Sequence, residues 1–214
     1  MTRHFTADYI ERATLRDGSV VRLRLVAPDD RELLKRGFEH WSPESRYARF
    51  LAPKPTLTDD ELAYLCDLDQ ETHFAIGAIL ERGDGAGDAV GAGIARFIKL
   101  PFQLGDPVTA EAAIAVADEL QGKGLGKLLL LRLCAAAAER GIEQFRCELL
   151  ADNHAMRALI EAIAPAHTAT SERGIVTIDF TVGDVAPDAS PEAAPPPGPM
   201  YALLRAAAEK LWRH

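Results

Sequence analysis

The sequence is poor in the residues that mark disulfide-bonded, metal-binding and membrane proteins. Its three cysteines, Cys66, Cys134 and Cys147, form no CxxC pair, so we expect buried, reduced thiols. Its six histidines are scattered without the spacing of metal ligands, which predicts no metal site. The first 18 residues lack the apolar stretch of a signal peptide, and no apolar run approaches the roughly 20 residues that cross a bilayer. We therefore expect a cytoplasmic protein that does not contact membranes.

Basic residues are also in deficit. Lysine and arginine number 24 against 32 aspartates and glutamates, a net charge of -8. Binding to a nucleic-acid backbone requires a surplus of positive charge, so this balance argues against a nucleic-acid partner. The hydrophobic fraction of 48% is ordinary for a soluble globular chain. The 214 residues are enough for one domain with a sizeable core.

Hydrophobic periodicity predicts one sheet domain. Alternating residues flank a turn at Asp17-Gly18, and helix starts follow at Pro28, Ser42 and Thr58. The pattern then predicts strands over 72–81, 89–99 and 108–116 with a turn at 82–87, a helix over 124–140, a strand over 144–150, a helix over 153–164, and a hairpin around Arg173-Gly174. This order predicts an α/β (α+β) fold, with a mixed, mostly antiparallel sheet, one central β-α-β crossover and flanking helices.

The C-terminal segment differs in composition from the rest. Six of the sixteen residues 184–199 are proline, which is typical of a semi-rigid linker. We expect a domain over residues 1–182, a linker over 183–199 and an amphipathic helix over 200–214. The helix either folds back on its own domain or docks to a second subunit, which would make it a self-association element; we favour the first.

The most informative segment is the loop from Gln121 to Lys127, which follows an apolar strand and opens the longest helix. Its glycines let the backbone approach a ligand, and the helix start adds unpaired N–H groups and the positive end of the helix dipole. With two lysines in the loop, this predicts a phosphate or diphosphate site. A P-loop is excluded because Gly122–Gly126 is one residue short and Leu128 replaces the metal-binding hydroxyl. A GxGxxG fingerprint is absent.

The segment Gln121-Gly122-Lys123-Gly124-Leu125-Gly126, after a strand that ends at Val116, resembles the (Q/R)xxGx(G/A) loop of the GNAT superfamily of CoA-dependent N-acyltransferases. The order of elements over residues 10–181 is similar as well. A narrower resemblance, to the bacterial Pat-type protein lysine acetyltransferases, is carried by residues 41–51, Leu57-Thr58, Glu61-Leu62, Asp69 and His73-Phe74-Ala75. Together they imply a GNAT fold, acetyl-CoA as the donor without a metal, and an exposed lysine of a protein as the acceptor.

The resemblance also implies which residues hold the donor. The strand end offers backbone groups to the pantetheine arm, and the N–H of Val116 would polarise the thioester carbonyl. The loop would hold the diphosphate. Asn153 opens the next helix at a position where an asparagine often bonds CoA, although a plain N-cap explains it equally well. The expected cofactor-binding residues are Val116, Ala117, Asp118, Gln121, Gly122, Lys123, Gly124, Leu125, Gly126, Lys127 and Asn153.

Amine acylation also needs a base, because a lysine amine with a pKa near ~10.4 is protonated at neutral pH. Glu111 is the candidate catalytic residue. It begins an otherwise apolar strand, so we expect its carboxylate to be partly removed from water, and it matches the catalytic glutamate that the resemblance implies. The alternative is a strand-end glutamate in solvent. Where many members carry a tyrosine acid, this chain has Ile160, which leaves the acid unassigned.

Residues 42–69 lie where the superfamily's variable acceptor-binding helices sit. Arg46 and Arg49 share a helix face there, and either meet acids of a protein substrate or pair internally with Glu44 or Asp59. Three functions stay open: a protein lysine acetyltransferase, an acetyltransferase for a small amine, and a non-catalytic acyl-CoA-binding module. A deep, closed acceptor pocket would favour the small amine, and an open groove the protein.

Overall fold

The computed structural model describes residues 3–81, 89–101 and 104–185. The strands in these ranges are β1 (Ile10–Thr14), β2 (Val20–Leu25), β3 (His73–Glu81), β4 (Val90–Lys99), β5 (Thr109–Val116), β6 (Gln144–Leu150), β7 (Thr168–Glu172) and β8 (Ile175–Thr181). The helices are α1 (Arg31–Glu39), α2 (Pro43–Phe50), α3 (Asp59–Cys66), α4 (Leu125–Ala138) and α5 (His154–Ile163). The expected turn at 82–87, most of the linker and the C-terminal helix lie outside the described residues.

The eight strands form one sheet in the order β1-β2-β3-β4-β5-β6-β8-β7. Of the adjacent pairs only β5 and β6 run parallel, and α4 connects them. The expected class, a mostly antiparallel sheet with one central crossover, is therefore confirmed. The expected hairpin between β7 and β8 is present too: Arg173 and Gly174 both have positive φ, 52° and 83°, which is typical of the two-residue turn that matches the strand twist.

One face of the sheet, the α4 face, carries the main core. Phe74, Phe97, Phe145 and Phe180 form a row across β3, β4, β6 and β8, with neighbouring ring centroids 5.2, 5.8 and 5.9 Å apart. Strand β5 crosses this row with small alanines. Leucines of α4 cover the row, and several of them, including Leu125 and Leu129, are fully buried. Each such side chain contributes about 1.5–3 kcal/mol.

The opposite face, the helical-cap face, is covered by the first three helices. Side-chain caps fix where two of them begin: Ser42 accepts the N–H of Ser45 at the start of α2, and Thr58 accepts that of Glu61 at the start of α3. Helix α1 instead continues from a short 3-10 turn over Pro28–Asp30. These helices pack on smaller apolar clusters of their own, so this face is less uniformly sealed than the α4 face.

Candidate active site

The central strands separate where the sequence predicts a ligand. Strands β5 and β6 pair only where Thr109–Glu111 lies beside Gln144–Arg146. Beyond these residues β5 continues to Val116 and β6 to Leu150. Beyond Glu111 the two strands therefore leave a gap. Such a gap in the middle of a sheet exposes backbone donors and acceptors that a neighbouring strand would otherwise use.

The unpaired backbone groups of β5 point into this gap. Ala117 donates its N–H to Ala92 of β4 at 2.9 Å, and hydrogen-bonded positions alternate along an antiparallel pair. Ile114 and Val116 therefore direct their backbone groups away from β4, toward β6. The carbonyl of Val116 accepts a hydrogen bond from the Gln121 side chain at 3.2 Å, and its N–H faces the gap.

The gap leads to an uncapped helix N-terminus. Gly124 precedes α4 with φ of 96°, Gly122 has φ of 72°, and no side chain caps the helix. In the described ranges, the N–H groups of residues 122–127 meet no protein acceptor. The first turn of α4 holds no acidic residue but does hold Lys127, although the helix dipole favours negative charge there. An anion at this position would satisfy both the amides and the lysine.

The remaining loop side chains mostly serve the fold. Asp118 accepts the backbone N–H of Ser42 at 2.8 Å and the hydroxyl of Ser45, and the Gln121 amide donates to Asp118 at 3.0 Å. These contacts hold the start of α2 at the end of β5. The Lys123 ammonium lies 2.7 Å from Asp17 and lowers the pKa of that carboxyl to about 2. The contribution of Lys123 to the loop is therefore mainly its backbone.

Asn153 begins α5 as an N-cap. Its side-chain oxygen accepts the N–H of Met156 at 3.1 Å, so the cap explanation is correct for that atom. Its amide nitrogen meets no protein acceptor in the described ranges. The same side chain can therefore cap the helix and donate to a ligand.

Glu111 lies on the helical-cap face at the point where the strands separate. It pairs with Ile98 of β4 on one side and Arg146 of β6 on the other. The expectation of a partly desolvated carboxylate is wrong, because the residue is exposed. On the side of the gap, the residues of β5 that share its face are Ala113 and Ala115, which are too small to cover it.

Two arginines lie near Glu111. The sequence analysis named Arg49 as a possible contact to a protein substrate, but it did not recognise Arg96 as a site residue. Arg96 of β4 lies diagonally across from Glu111 on the same face, and only 4% of its surface is exposed. Arg49 at the end of α2 is partly buried; burial lowers its pKa, and the nearby Glu111 carboxylate opposes that shift. Neither arginine forms an ion pair in the described ranges. The signal for Arg96 in the sequence was a charged residue in the interior of the otherwise apolar strand Val90–Lys99.

Arg46, by contrast, is satisfied by the backbone. Its guanidinium donates to the carbonyl oxygens of Glu39, Trp41 and Pro55 at 2.8–3.1 Å and lies 4.7 Å from the centroid of the Phe38 ring. Its bonds are internal, but Glu44 and Asp59 are not the partners.

Two more polar side chains surround Arg96. The rings of Tyr64 and His73 lie 4.9 Å apart, and the Arg96 guanidinium lies 5.4 Å from the Tyr64 centroid. Burial and the Arg96 charge lower the pKa of His73 to about 4, so this imidazole is neutral at pH 7. Its Nε2 is buried without a hydrogen-bond partner.

A pocket lies between the first three helices and the sheet. Its lining is mainly apolar and includes Phe38, Trp41 and Leu57, and Arg96 and Arg49 form part of its wall. Arg96 therefore lines the pocket and is also the diagonal neighbour of Glu111 in the sheet.

The cysteines and Ile160 provide no catalytic group in the structure. All three thiols are buried and unpaired, and burial raises the pKa of Cys66 to about 11 and of Cys134 to about 12, so they are poor nucleophiles. Ile160 is fully buried in the main core. In the ranges described, no three His, Cys, Asp or Glu side chains are grouped as metal ligands. No described helix is long and apolar enough to cross a bilayer.

The fold, the gap and the uncapped loop define an acyltransferase of the GNAT type. Residues 32–164 match the Acetyltransferase (GNAT) family, and the chain belongs to that family. It is 32% identical over 174 residues to Acetyltransferase Pat of Mycolicibacterium smegmatis, a match that covers 80% of this chain and 48% of that protein. The chain thus spans about half the length of this relative.

Two solved structures extend the comparison. The GNAT domain of S. lividans PAT superposes with a TM-score of 0.71 at 29% identity, covering 83% of this chain and 99% of that one. The structure of yncA from Salmonella typhimurium with its cofactor acetyl-CoA superposes with a TM-score of 0.58 at 21% identity, covering 81% and 99%. The second likeness concerns the fold alone.

Proposed function

We propose that this protein transfers an acetyl group from acetyl-CoA to an amine, first of all a lysine side chain of another protein, in the cytoplasm. The observation that carries the proposal is the pair of unpaired amide sites at the end of β5: the N–H of Val116 in the gap, and the N–H groups of residues 122–127 at the start of α4. The 32% sequence identity to the Pat acetyltransferase of Mycolicibacterium smegmatis, together with the resemblance to Pat-type protein lysine acetyltransferases, supports lysine as the acceptor. The buried, unpaired thiols fit a reducing compartment.

The donor half of the site uses backbone groups. The amides of residues 122–127 and the Lys127 ammonium would bind the diphosphate. The β5 edge would bind the pantetheine arm, with the Asn153 amide nitrogen as a further donor. The N–H of Val116 would donate to the thioester oxygen as negative charge develops there. Acetyl-CoA supplies the activated acyl group in this arrangement.

The acceptor half depends on Glu111. In our proposal its carboxylate takes a proton from the ammonium of the acceptor, directly or through water, which frees the amine. The free amine attacks the thioester carbonyl, so that the C–N bond forms and the C–S bond breaks. The nitrogen loses its second proton to water, and the departing thiolate takes a proton from solvent. An exposed glutamate serves this role because water can carry the proton to it.

A second candidate is an acetyltransferase for a small amine. The observation that favours it is the apolar pocket under α1, α2 and α3, which shares Arg96 with the surroundings of Glu111. A small amine with an apolar body fills such a pocket, whereas a flat protein surface offers no side chain that could do so.

Substitution of the proposed base tests catalysis. Glu111→Gln should lower kcat for acetyl transfer to lysine peptides about 10²–10⁴-fold, with the Kd for acetyl-CoA within about twofold of wild type. Glu172→Gln, a strand-end glutamate that is exposed at the far edge of the sheet, should change neither. Unchanged turnover in Glu111→Gln would reject Glu111 as the base. Binding of acetyl-CoA without turnover by the wild type would favour the non-catalytic module.

The acceptor class needs a different experiment. Acetylated lysines are compared across the proteome of cells that hold the wild type or Glu111→Gln. Protein acetylation predicts particular lysines that lose acetyl groups in the variant. An unchanged lysine profile, together with an active purified enzyme, would favour the small amine.

A further inference from the structure

We propose that Arg96 and Arg49 bind a carboxylate of the acyl acceptor, so that the enzyme prefers amines with an acidic group close to the reacting nitrogen. The inference rests on the proposed function and specifies its acceptor.

The first observation is an unpaired buried cation. Arg96 is 4% exposed, yet its Nε and Nη2 are buried without any hydrogen-bond partner. A buried charge without a partner is costly, and native proteins pair such groups or use them. Burial and the neighbouring Arg49 lower the pKa of Arg96 to about 10, which leaves the guanidinium charged at neutral pH.

The second observation is the local charge balance. Arg49 and Arg96 act on one another, and Glu111 is the carboxylate whose charge reaches both of them. Two guanidinium groups and one carboxylate leave a net charge of about +1. The other charged residues of the pocket, Arg24 and Asp30, form a complete ion pair, with a guanidinium nitrogen 2.7 Å from the carboxylate. The pocket is therefore one negative charge short.

The chemistry of these groups selects a carboxylate attached to an apolar body. A guanidinium presents a planar pair of donors that matches the two oxygens of a carboxylate. Apart from the paired Arg24 and Asp30, the rest of the pocket is apolar and is lined by side chains such as Phe38 and Leu57. Because Arg96 is a diagonal neighbour of Glu111 in the sheet, an anion on Arg96 places its own amine close to the proposed base.

This carboxylate has two sources. It is the α-carboxylate of a free amino acid, whose side chain then fills the pocket, or the side chain of an aspartate or glutamate beside the target lysine of a protein. Both place one negative charge near the reacting nitrogen, and both use the same arginines.

Kinetics with matched acceptors test the preference. One arm compares leucine with leucinamide; the other compares end-blocked peptides Ala-Glu-Lys-Ala and Ala-Gln-Lys-Ala. In at least one arm the wild type should show tenfold or greater preference in kcat/KM for the carboxylate member, and that arm identifies the source. In Arg96→Met the preference should fall to about twofold or less, while Arg96→Lys keeps part of it.

A matched control lies on the same face. Arg22 of β2 also has a buried Nε without a partner but does not line the pocket, so Arg22→Met should keep the preference. The proposal is overturned if the wild type shows no preference in either arm, or if Arg96→Met keeps it.

Binding without turnover separates this proposal from the proposed function. N-acetylleucine and N-acetylleucinamide are titrated calorimetrically into wild type and Arg96→Met. Tenfold tighter binding of the carboxylate by the wild type, lost in the variant, supports the arginine site even if no acceptor is acetylated. Equal affinities for the two compounds, together with active acetyl transfer to amines, would reject the arginine site and leave the proposed function intact.

Discussion

The two faces of the sheet solve the problem of buried polar groups in opposite ways. On the α4 face, the side chain of Arg140 is 3% exposed, and its donors bond the carbonyl oxygens of Phe5, Gln70 and Ala136 at 2.6–3.0 Å. On the helical-cap face, Arg96 is equally buried and unpaired. Of the side chains that the structure describes, those with buried atoms lacking partners, Arg22, His73 and Arg96, all belong to the helical-cap face. The α4 face satisfies its buried polar groups, whereas the helical-cap face has buried polar groups without partners near the proposed site of the reaction.

Replacing each buried arginine with methionine should separate the faces most strongly. Arg140→Met removes the donor from three part-buried carbonyl groups, so the free energy of unfolding should fall by about 3 kcal/mol. Arg96→Met removes an uncompensated charge, and its unfolding free energy should equal or exceed the wild-type value within about 1 kcal/mol. Urea unfolding of both variants provides the measurement. A larger loss for Arg96→Met than for Arg140→Met would contradict the comparison.

Adding one methyl group should show which face is tightly packed. A Cβ at Gly93 would lie 2.9 Å from the carbonyl oxygen of Ala115 and 3.1 Å from Leu129 of α4, so Gly93→Ala should cost about 1–3 kcal/mol. A Cβ at Gly77, over the pocket, would meet only Val26 at 3.5 Å. Gly77→Ala should therefore be neutral or slightly stabilising. Thermal unfolding checks both variants, and equal losses would remove the proposed difference in packing.

The smallest effect concerns pH. The folded-state pKa of His73 is about 4, below its ordinary 6.5, so between these values the unfolded chain binds the proton more readily. The contribution of His73 to stability is therefore complete above pH 6.5 and is lost as the pH falls toward 4. Because the ring is only partly buried, we expect a loss of about 1 kcal/mol.

The control for this effect is a second histidine. His73→Asn should flatten the fall in unfolding free energy between pH 7 and pH 4.5, relative to wild type, whereas the same change at the exposed His154 should leave it unaltered. Identical pH profiles for wild type and His73→Asn would show that the ring is as accessible to protons in the folded state as in the unfolded chain.

The sequence predicts those parts of the molecule that local patterns determine. Caps such as Thr58, the turn at Gly174 and the apolar strands specify the element order, and the glycines at 122 and 124 specify the uncapped start of α4. The Arg96 site depends on which strand lies beside β4 and on how α2 covers it, and neither is encoded locally. The exposure of Glu111 was missed for a similar reason, because it follows from the separation of β5 and β6.

The central claim is that the backbone amides at the start of α4 bind the diphosphate of coenzyme A. It is tested most directly by adding CoA to protein labelled with ¹⁵N-glycine and following the amide resonances by NMR. We predict saturable shifts of Gly122, Gly124 and Gly126 at micromolar to low millimolar CoA, with Gly105 and Gly141, before β5 and after α4, unchanged. Resonances of the three loop glycines that do not move at millimolar CoA would contradict the claim.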